Sequence, residues 1–413
     1  MIKYTTTRLQ NGLTLIIHEN RTSPLALVNV LYKAGSAHEN PQKTGYAHLL
    51  EHIMFCGSEN IDDFDYIVQK AGGNNNAFTT SDYTNYYINL PADNIETAFW
   101  LESDRMRFAG FKEESVLVQK QVVIEEFKEG YINQPYGDIW HLISELAYKK
   151  HPYRWPTIGL SVEHIEEATV NDLKSFYNKF YQPQNAILSI SSPLITDKVI
   201  RMAEKWFGSL KNTSESPVVN LPAEPVQENA RFLEVEREVP ADMIIKSFHM
   251  DKRLSEEYYF GDILTDILSQ GQSARLHERL VKQENIFSHI DAYVTGTNDP
   301  GQIIIEARLS DGISFKEADA KINKELEEIA TAGPGEKEVK KADNQKRTQL
   351  AFNNQNMFEK TFQLAYFEML DSAERINREM EIYKEIKPQD IKTTAEKVFD
   401  KRNSSTIFYK AKN

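Results

Sequence analysis

The five-residue stretch His48-Leu49-Leu50-Glu51-His52 gives the strongest indication of what this chain is. On an α-helix, residues three and four positions apart share a face, so His48, Glu51 and His52 would point the same way. Two imidazoles one turn apart can take two corners of a tetrahedral zinc site, while the carboxylate reaches zinc-bound water. The stretch therefore predicts a zinc-binding helix, with Glu51 as general base and later as proton donor to a leaving amine.

The residues around this motif predict that its helix is substantially buried. The flanking positions are all apolar: Leu49, Leu50, Ile53, Met54 and Phe55. A solvated helix that carries the motif by coincidence is the alternative, but unpaired charge on a buried helix would be costly. Cys56, one turn after His52, is interpreted as a small apolar residue rather than as a ligand.

A catalytic zinc usually has three protein ligands and one open position, so a third ligand must come from elsewhere. The best source is the acidic stretch Val122-Val123-Ile124-Glu125-Glu126-Phe127-Lys128-Glu129, on a predicted helix. Periodicity does not separate Glu125, Glu126 and Glu129, because each has a valine one or two turns behind it. From the residues alone, the choice among these three carboxylates stays open.

The first half of the chain is predicted to form strands followed by a helix. Asn11-Gly12 beside a β-prone run predicts a hairpin. Further strands are predicted at 26–33, 76–80 and 84–90, and a helix from about Asn94 to Arg107.

A similar order recurs in the second half. A helix is predicted over 274–280, strands over 290–294 and 302–307, and a helix over about 315–330. The polar, proline-punctuated stretch 212–225 is typical of a linker. We therefore predict a catalytic zinc-binding domain at 1–220 and a diverged repeat without metal at 221–413.

Composition narrows the function classes. The formal net charge of −13 makes nucleic acid a poor partner. No apolar run reaches the roughly 18 residues of a membrane span, and the N-terminus has no signal core. Cys56 is the single cysteine, which fits a reducing compartment. We expect a cytoplasmic protein with no membrane contact.

Together these segments resemble the pitrilysin and insulysin family of zinc peptidases, which includes mitochondrial processing peptidase. The resemblance covers most of the chain and rests on five segments: Asn11 to Leu13, His48 to His52, Asn76 to Thr79, Val122 to Glu126, and Ala274 to Leu276. It implies an α+β fold of two homologous domains, each a mixed, mainly antiparallel sheet with helices packed on it. Such a chain would be half of a clamshell.

The resemblance also implies the remaining metal ligand. The family places it on the last glutamate of a V-V-x-E-E-like segment, roughly 75 residues after the second histidine, which selects Glu126. His48, His52 and Glu126 would then hold one zinc ion per chain. The family usually has another acidic residue seven positions earlier, but this chain has Gln119 there. Any accessory role of that position is therefore in doubt.

A substrate-binding strand is implied as well. In the family, the segment that matches Asn76, Ala77, Phe78 and Thr79 is an exposed edge strand that pairs with extended peptides. Main-chain hydrogen bonds would hold any extended peptide, and side-chain pockets would set preference. An ordinary internal strand is the alternative.

One part of the family pattern is missing. The family carries an arginine and a tyrosine seven residues apart in its second half, and these positions fall on Val281 and Ser288. Neither side chain can bind substrate in the same way, and a second copy of the chain would lack the pair too. We therefore expect a heterodimer with a related chain that supplies the pair, and a homodimer is the weaker expectation.

The function that follows is a zinc-dependent endopeptidase that hydrolyses peptides or small unfolded polypeptides in an enclosed cavity. The alternative is a non-catalytic or peptide-binding subunit of a peptidase-like complex. The presence of His48, Glu51, His52 and Glu126 together favours the enzyme, because decay would normally erase at least one of them.

Overall fold

The computed structural model describes residues 1–107, 109–213, 215, 217 and 219–412. The chain packs into two compact units. The first unit consists of Met1–Gly130, Trp155–Pro222 and Asn353–Asn377, and the second of Tyr131–Arg154, Ala223–Phe352 and Arg378–Asn413. Segments 131–154 and 353–377 each belong to the unit built mainly from the other half of the chain, an exchange that the predicted domains 1–220 and 221–413 do not contain. Ser214, Ser216 and Val218 of the predicted linker lie outside the described residues.

Eleven strands are described, in chain order. They are β1 Thr5–Arg8, β2 Thr14–Glu19, β3 Leu25–Tyr32, β4 Asn74–Thr79, β5 Thr84–Pro91, β6 Ala186–Ser192, β7 Arg231–Arg237, β8 Met243–His249, β9 Phe287–Val294, β10 Gln302–Leu309 and β11 Ser404–Ala411.

Fourteen α-helices are described. They are α1 Tyr46–Ile53, α2 Phe64–Lys70, α3 Ile95–Arg107, α4 Glu113–Phe127, α5 Ile139–Ala147, α6 Val162–Glu166, α7 Val170–Phe180, α8 Thr196–Phe207, α9 Glu256–Ser269, α10 Phe315–Ala332, α11 Glu336–Asn353, α12 Met357–Leu370, α13 Arg375–Glu385 and α14 Pro388–Val398. Two π-helical segments, Lys128–Asn133 and His277–Gln283, add to these.

The first unit is built on a six-stranded sheet in the order β1-β2-β6-β3-β5-β4. Only the pair β2–β6 is parallel among the described pairs of this sheet. The hairpin predicted from Asn11-Gly12 is confirmed: Arg8 pairs with Thr14, and Gly12 takes the left-handed φ of +91° that the turn needs. Strand β4 lies at the edge of the sheet, and α1 packs beside it.

The second unit repeats this topology without an equivalent of β1. Its sheet has the order β7-β11-β8-β10-β9, and β7–β11 is its parallel pair. These strands correspond one for one to β2, β6, β3, β5 and β4. The predicted fold class is therefore confirmed: two homologous α+β domains, each a mixed, mainly antiparallel sheet with helices packed on it.

Helix and strand predictions agree with the structure to within a few residues. The helix expected from about Asn94 is α3, and the one expected over about 315–330 is α10. The helix predicted over 274–280 is displaced toward the C-terminus, since much of this region forms the π-helical segment His277–Gln283.

A buried ion pair ties α3 into the core of the first unit. The Nε of Arg105 donates to Glu102 Oε2 at 2.8 Å, and both side chains are almost completely buried. The guanidinium also lies 4.3 Å from the ring centre of Tyr86 and 4.5 Å from that of Phe64. Such a pair does little net stabilising, but removing one partner leaves an uncompensated charge in the core.

We expect Arg105→Met to lower the free energy of unfolding by about 3–5 kcal/mol, because Glu102 would stay buried without its partner. The control is Lys205→Met, which breaks an exposed pair with Glu96 and should cost no more than about 1 kcal/mol. Urea unfolding measures both variants. Equal losses would show that the buried pair is not important for the stability of this unit.

Candidate metal centre and active site

Helix α1 begins at a position fixed by a buried carboxylate. Gly45 precedes the helix with a φ of +87°, a conformation that favours glycine. The carboxylate of Glu39 accepts hydrogen bonds from the N–H groups of Gly45, at 2.9 Å, and Ala47, at 2.7 Å. Helix N-termini have unpaired N–H groups, which the two oxygens of Glu39 pair here. Burial raises the pKa of Glu39 to about 8, and the bonds from Ala47 and Gly45 lower it. Glu39 thereby sets where α1 starts.

The burial of α1 decides which way the motif points. Leu49, Leu50 and Ile53 are fully buried in the core of the first unit. The imidazoles of His48 and His52 lie on the other side of the helix, and each is about 20% exposed. The apolar side chains therefore hold the helix while the motif side chains stay accessible.

Helix α4 brings a carboxylate to the two histidines. The Nε2 atoms of His48 and His52 are 3.3 Å apart. Glu126 Oε2 lies 3.8 Å from the first and 3.5 Å from the second. Within the described part of the chain, these residues form the one group of three or more His, Cys, Asp or Glu side chains close enough to hold a metal ion together. Of the three candidate carboxylates in the sequence, the tertiary structure therefore brings Glu126 to the two histidines.

The other candidates on α4 and after it point elsewhere. Glu125 is exposed and pairs with Lys128 at 2.7 Å, and Glu129 is exposed. Gln119 hydrogen-bonds the thiol of Cys56, which also donates to the His52 carbonyl at 3.6 Å. Burial raises the pKa of this half-buried thiol.

The donor set fits a catalytic zinc ion. Two nitrogen ligands at about 2.0–2.1 Å from a tetrahedral zinc lie about 3.3–3.4 Å apart, close to the separation of the two Nε2 atoms. Two imidazoles and one carboxylate also leave the fourth position open, as catalytic sites require. Burial, reinforced by His52, lowers the pKa of His48 to about 4, so this imidazole is neutral at pH 7 with a lone pair to donate.

Glu51 lies beside these ligands and is held by the edge strand. Thr79 at the end of β4 donates a hydrogen bond of 2.5 Å from Oγ1 to Glu51 Oε2. Burial raises the pKa of Glu51, the Thr79 hydroxyl and His52 lower it, and Glu126 raises it. A carboxylate with a raised pKa is better matched to proton transfer near neutral pH.

The predicted substrate segment lies along an open sheet edge. Among the described strands, β4 pairs with β5 alone. The Ala77 N–H donates to the side chain of Asn76 at 2.8 Å, which indicates that it points away from β5. Asn76 is exposed, and Phe78 and Thr79 are half-buried. This edge has the geometry that strand addition requires, and the binding role itself stays a prediction.

The positions that should carry the missing arginine and tyrosine are in the second unit. Val281 packs against the core of that unit. Ser288 lies on β9, and its Oγ donates to the Arg308 carbonyl at 3.3 Å. Both side chains therefore contact residues of their own unit.

A duplicated α+β domain with an H-x-x-E-H helix in its first copy defines the inverzincin class of zinc peptidases. The chain belongs to peptidase family M16, the insulinase and pitrilysin family. The family model described as "Insulinase (Peptidase family M16)" matches residues 14–159, and the one described as "Peptidase M16 inactive domain" matches residues 167–346.

Known relatives agree with this assignment. The chain is 27% identical to the zinc protease PqqE of Helicobacter pylori, over 99% of this chain and 93% of the relative. It is similar to the crystal structure of a protease from Helicobacter pylori, with a TM-score of 0.94, 27% identity and coverage of 99% and 100% of the two chains. Pitrilysin shares the fold at 17% identity, with a TM-score of 0.79 over 100% of this chain and 45% of its own.

Among the residues that the structure describes, every helix is too short or too polar to cross a lipid bilayer.

Sequence reasoning missed Glu39. A glutamate in a loop several residues before a helix has no fixed spacing to it, so nothing in the sequence marks it as a cap. Trp155, in the loop after α5, donates a hydrogen bond to the Ser36 carbonyl at 3.0 Å. This bond supports the segment that carries Glu39. The start of α1 therefore depends on contacts between distant segments.

Glu39→Gln should lower the free energy of unfolding by about 1–3 kcal/mol, because its amide can accept at one atom only and leaves one helix N–H unpaired. The measurement is urea unfolding of the full chain. The matched control is Glu59→Gln, at an exposed glutamate, which should change little. Equal effects at both positions would contradict the capping role.

Proposed function

We propose that this chain is a zinc-dependent endopeptidase that hydrolyses peptides or small unfolded polypeptides. The observation that carries the proposal is the convergence of His48, His52 and Glu126, with Glu51 beside them and hydrogen-bonded to the edge strand. The family of the chain and the names of its relatives as zinc proteases support it.

His48, His52 and Glu126 are the residues that would hold the metal, one zinc ion per chain. When bound there, zinc makes water acidic and polarises a substrate carbonyl. Two imidazole nitrogens and one carboxylate oxygen converge there, a donor set that suits a divalent cation.

Glu51 is proposed as the proton carrier. Its burial raises its pKa, so that it can take a proton from the attacking water and give it to the leaving amine within one reaction. The Thr79 hydroxyl fixes the orientation of the carboxylate. Since the same threonine ends β4, the group that transfers protons is anchored to the strand proposed to bind substrate.

Strand β4 is proposed to select extended peptides. A peptide that pairs with its free edge would run past Glu51, because Thr79 connects the two. Backbone pairing requires the substrate to be unfolded locally, whereas a folded protein has few free strands. This favours peptides or small unfolded polypeptides as the substrate class.

A non-catalytic or peptide-binding subunit is the second candidate. It is favoured by Val281 and Ser288 at the positions where the family has its arginine and tyrosine.

We propose that a related chain supplies these groups in a heterodimer, since a second copy of this chain would lack them too.

Placement in the cytoplasm stays a prediction from the sequence.

The purified chain is expected to contain one zinc ion, and Glu126→Gln should weaken zinc binding by more than about tenfold because an amide is a poorer ligand than a carboxylate. Titration against a chromophoric zinc chelator measures the affinity. Glu125→Gln is the matched control, since it removes the same charge from the neighbouring, exposed position. Equal loss in both variants would exclude Glu126 as a specific ligand.

Glu51→Gln should lower kcat on an unstructured fluorogenic peptide by about 10²–10⁴-fold while zinc content stays unchanged, because the proton carrier is lost and the ligands remain. Metal analysis and initial rates are measured on the chain alone and mixed with a related chain from the same source.

The possible results of this assay separate the two candidate functions. Zinc without hydrolysis in either preparation would favour the non-catalytic subunit. Full turnover by the chain alone would exclude the need for a partner. Wild-type rates in Glu51→Gln would refute the proposed base.

A further inference from the structure

The second unit contains a segment that aligns with the metal-binding helix residue for residue. Residues 262–271 read Asp-Ile-Leu-Thr-Asp-Ile-Leu-Ser-Gln-Gly, and residues 48–57 read His-Leu-Leu-Glu-His-Ile-Met-Phe-Cys-Gly. The closing glycines, Gly57 and Gly271, both have a left-handed φ, +93° and +86°. In this alignment Asp262 and Asp266 take the places of the two histidines.

The two segments also occupy equivalent places in the fold. Helix α9 follows β8 and packs on the edge strand β9, as α1 follows β3 and packs beside the edge strand β4. Helix α11 follows α10 in the second unit as α4 follows α3 in the first. The counterpart of Glu51 is Thr265, whose hydroxyl donates to the Asp262 carbonyl within its own helix. The proton carrier is therefore absent from this copy.

A lysine stands between the two aspartates. Lys346 of α11 places its Nζ 2.9 Å from Asp262 Oδ1 and 3.2 Å from Asp266 Oδ2. The three side chains are only 12–13% exposed. Tyr383 donates a further hydrogen bond of 2.5 Å to Asp262 Oδ2. An ammonium group thus links the same pair of positions on α9 to α11 that a metal ion would link on α1 to α4.

The charges of this cluster favour a bound cation. Two carboxylates and one ammonium carry a net charge of −1 in a largely buried place. Burial raises the pKa of Asp266 to about 6, Lys346 lowers it, and Asp262 and Asp291 raise it. Asp291 comes from β9, so a carboxylate of a second element adds to the negative potential at Asp266.

We infer that the Lys346 ammonium is a built-in replacement for a metal ion, and that Asp262 and Asp266 form a latent site for a hard divalent cation. Carboxylate oxygens suit Ca²⁺, which binds such ligands at about 2.3–2.6 Å in flexible geometry. In the native chain the lysine fills this site. A substitution that removes the ammonium should open the site.

The test compares Lys346→Ala with the wild-type chain, by thermal unfolding at pH 7.5 with 0 or 10 mM CaCl₂. Without calcium, Lys346→Ala should lower Tm by roughly 10 °C, because two buried carboxylates lose their cation. Calcium should then raise the Tm of the variant by about 4 °C, if its Kd is about 1 mM, and leave the wild-type Tm unchanged.

Two controls separate this inference from an ordinary buried ion pair. Lys341→Ala removes a half-buried lysine of the same helix, which contacts Ser273 and not the aspartates, and should show neither effect. The triple variant Asp262→Asn, Asp266→Asn, Lys346→Met removes all three charges and should fold without any response to calcium. If Lys346→Ala is insoluble, refolding with and without calcium replaces thermal unfolding.

A calcium response of Lys346→Ala no larger than that of the wild type, or failure to refold in calcium, would overturn the inference. The measurement uses neither zinc nor a peptide substrate. Its outcome is therefore independent of the proposed peptidase activity.

Discussion

The structure depends on one constraint: helix α1 must bury its apolar face and still present two imidazoles in a fixed geometry. Burial of Leu49, Leu50 and Ile53 fixes the rotation of the helix, and Glu39 fixes where it begins. With rotation and start both set, the two Nε2 atoms converge to 3.3 Å without any further adjustment. The first-unit core thus positions the proposed metal ligands in advance, which would reduce the entropy that metal binding otherwise costs.

The same helix also connects the proposed chemistry to the proposed substrate strand. Glu51 faces β4, and the Thr79 hydroxyl holds its carboxylate at the end of that strand. A displacement of β4 would therefore move the proposed proton carrier together with the substrate edge. Burial of Glu51 raises its pKa, and the hydrogen bond from Thr79 lowers it. Binding and proton transfer are in this way linked by one short contact.

Duplication of the domain shows how one backbone supports different electrostatics. Both units place two side chains at i and i+4 of the helix beside the edge strand against a side chain of a neighbouring helix. The first unit carries two histidines and one carboxylate, a donor set that suits an external metal ion. The second carries aspartates and supplies its own cation, Lys346. Thus the second unit keeps the architecture while it has neither the histidine pair nor a carboxylate at the position of Glu51.

The sequence by itself determined the hairpin at Asn11-Gly12, several further strands and helices, the internal repeat and the family, because local backbone preferences and short motifs express these directly. It also placed His48 and His52 on one helical face. Only tertiary structure separated Glu126 from Glu125, since neighbouring positions on a helix differ by rotation, and rotation is set by packing. The capping role of Glu39 and the exchange of 131–154 and 353–377 between the units were decided there too. These features rest on contacts between residues far apart in the chain, and no local pattern in the sequence encodes which distant segments will meet.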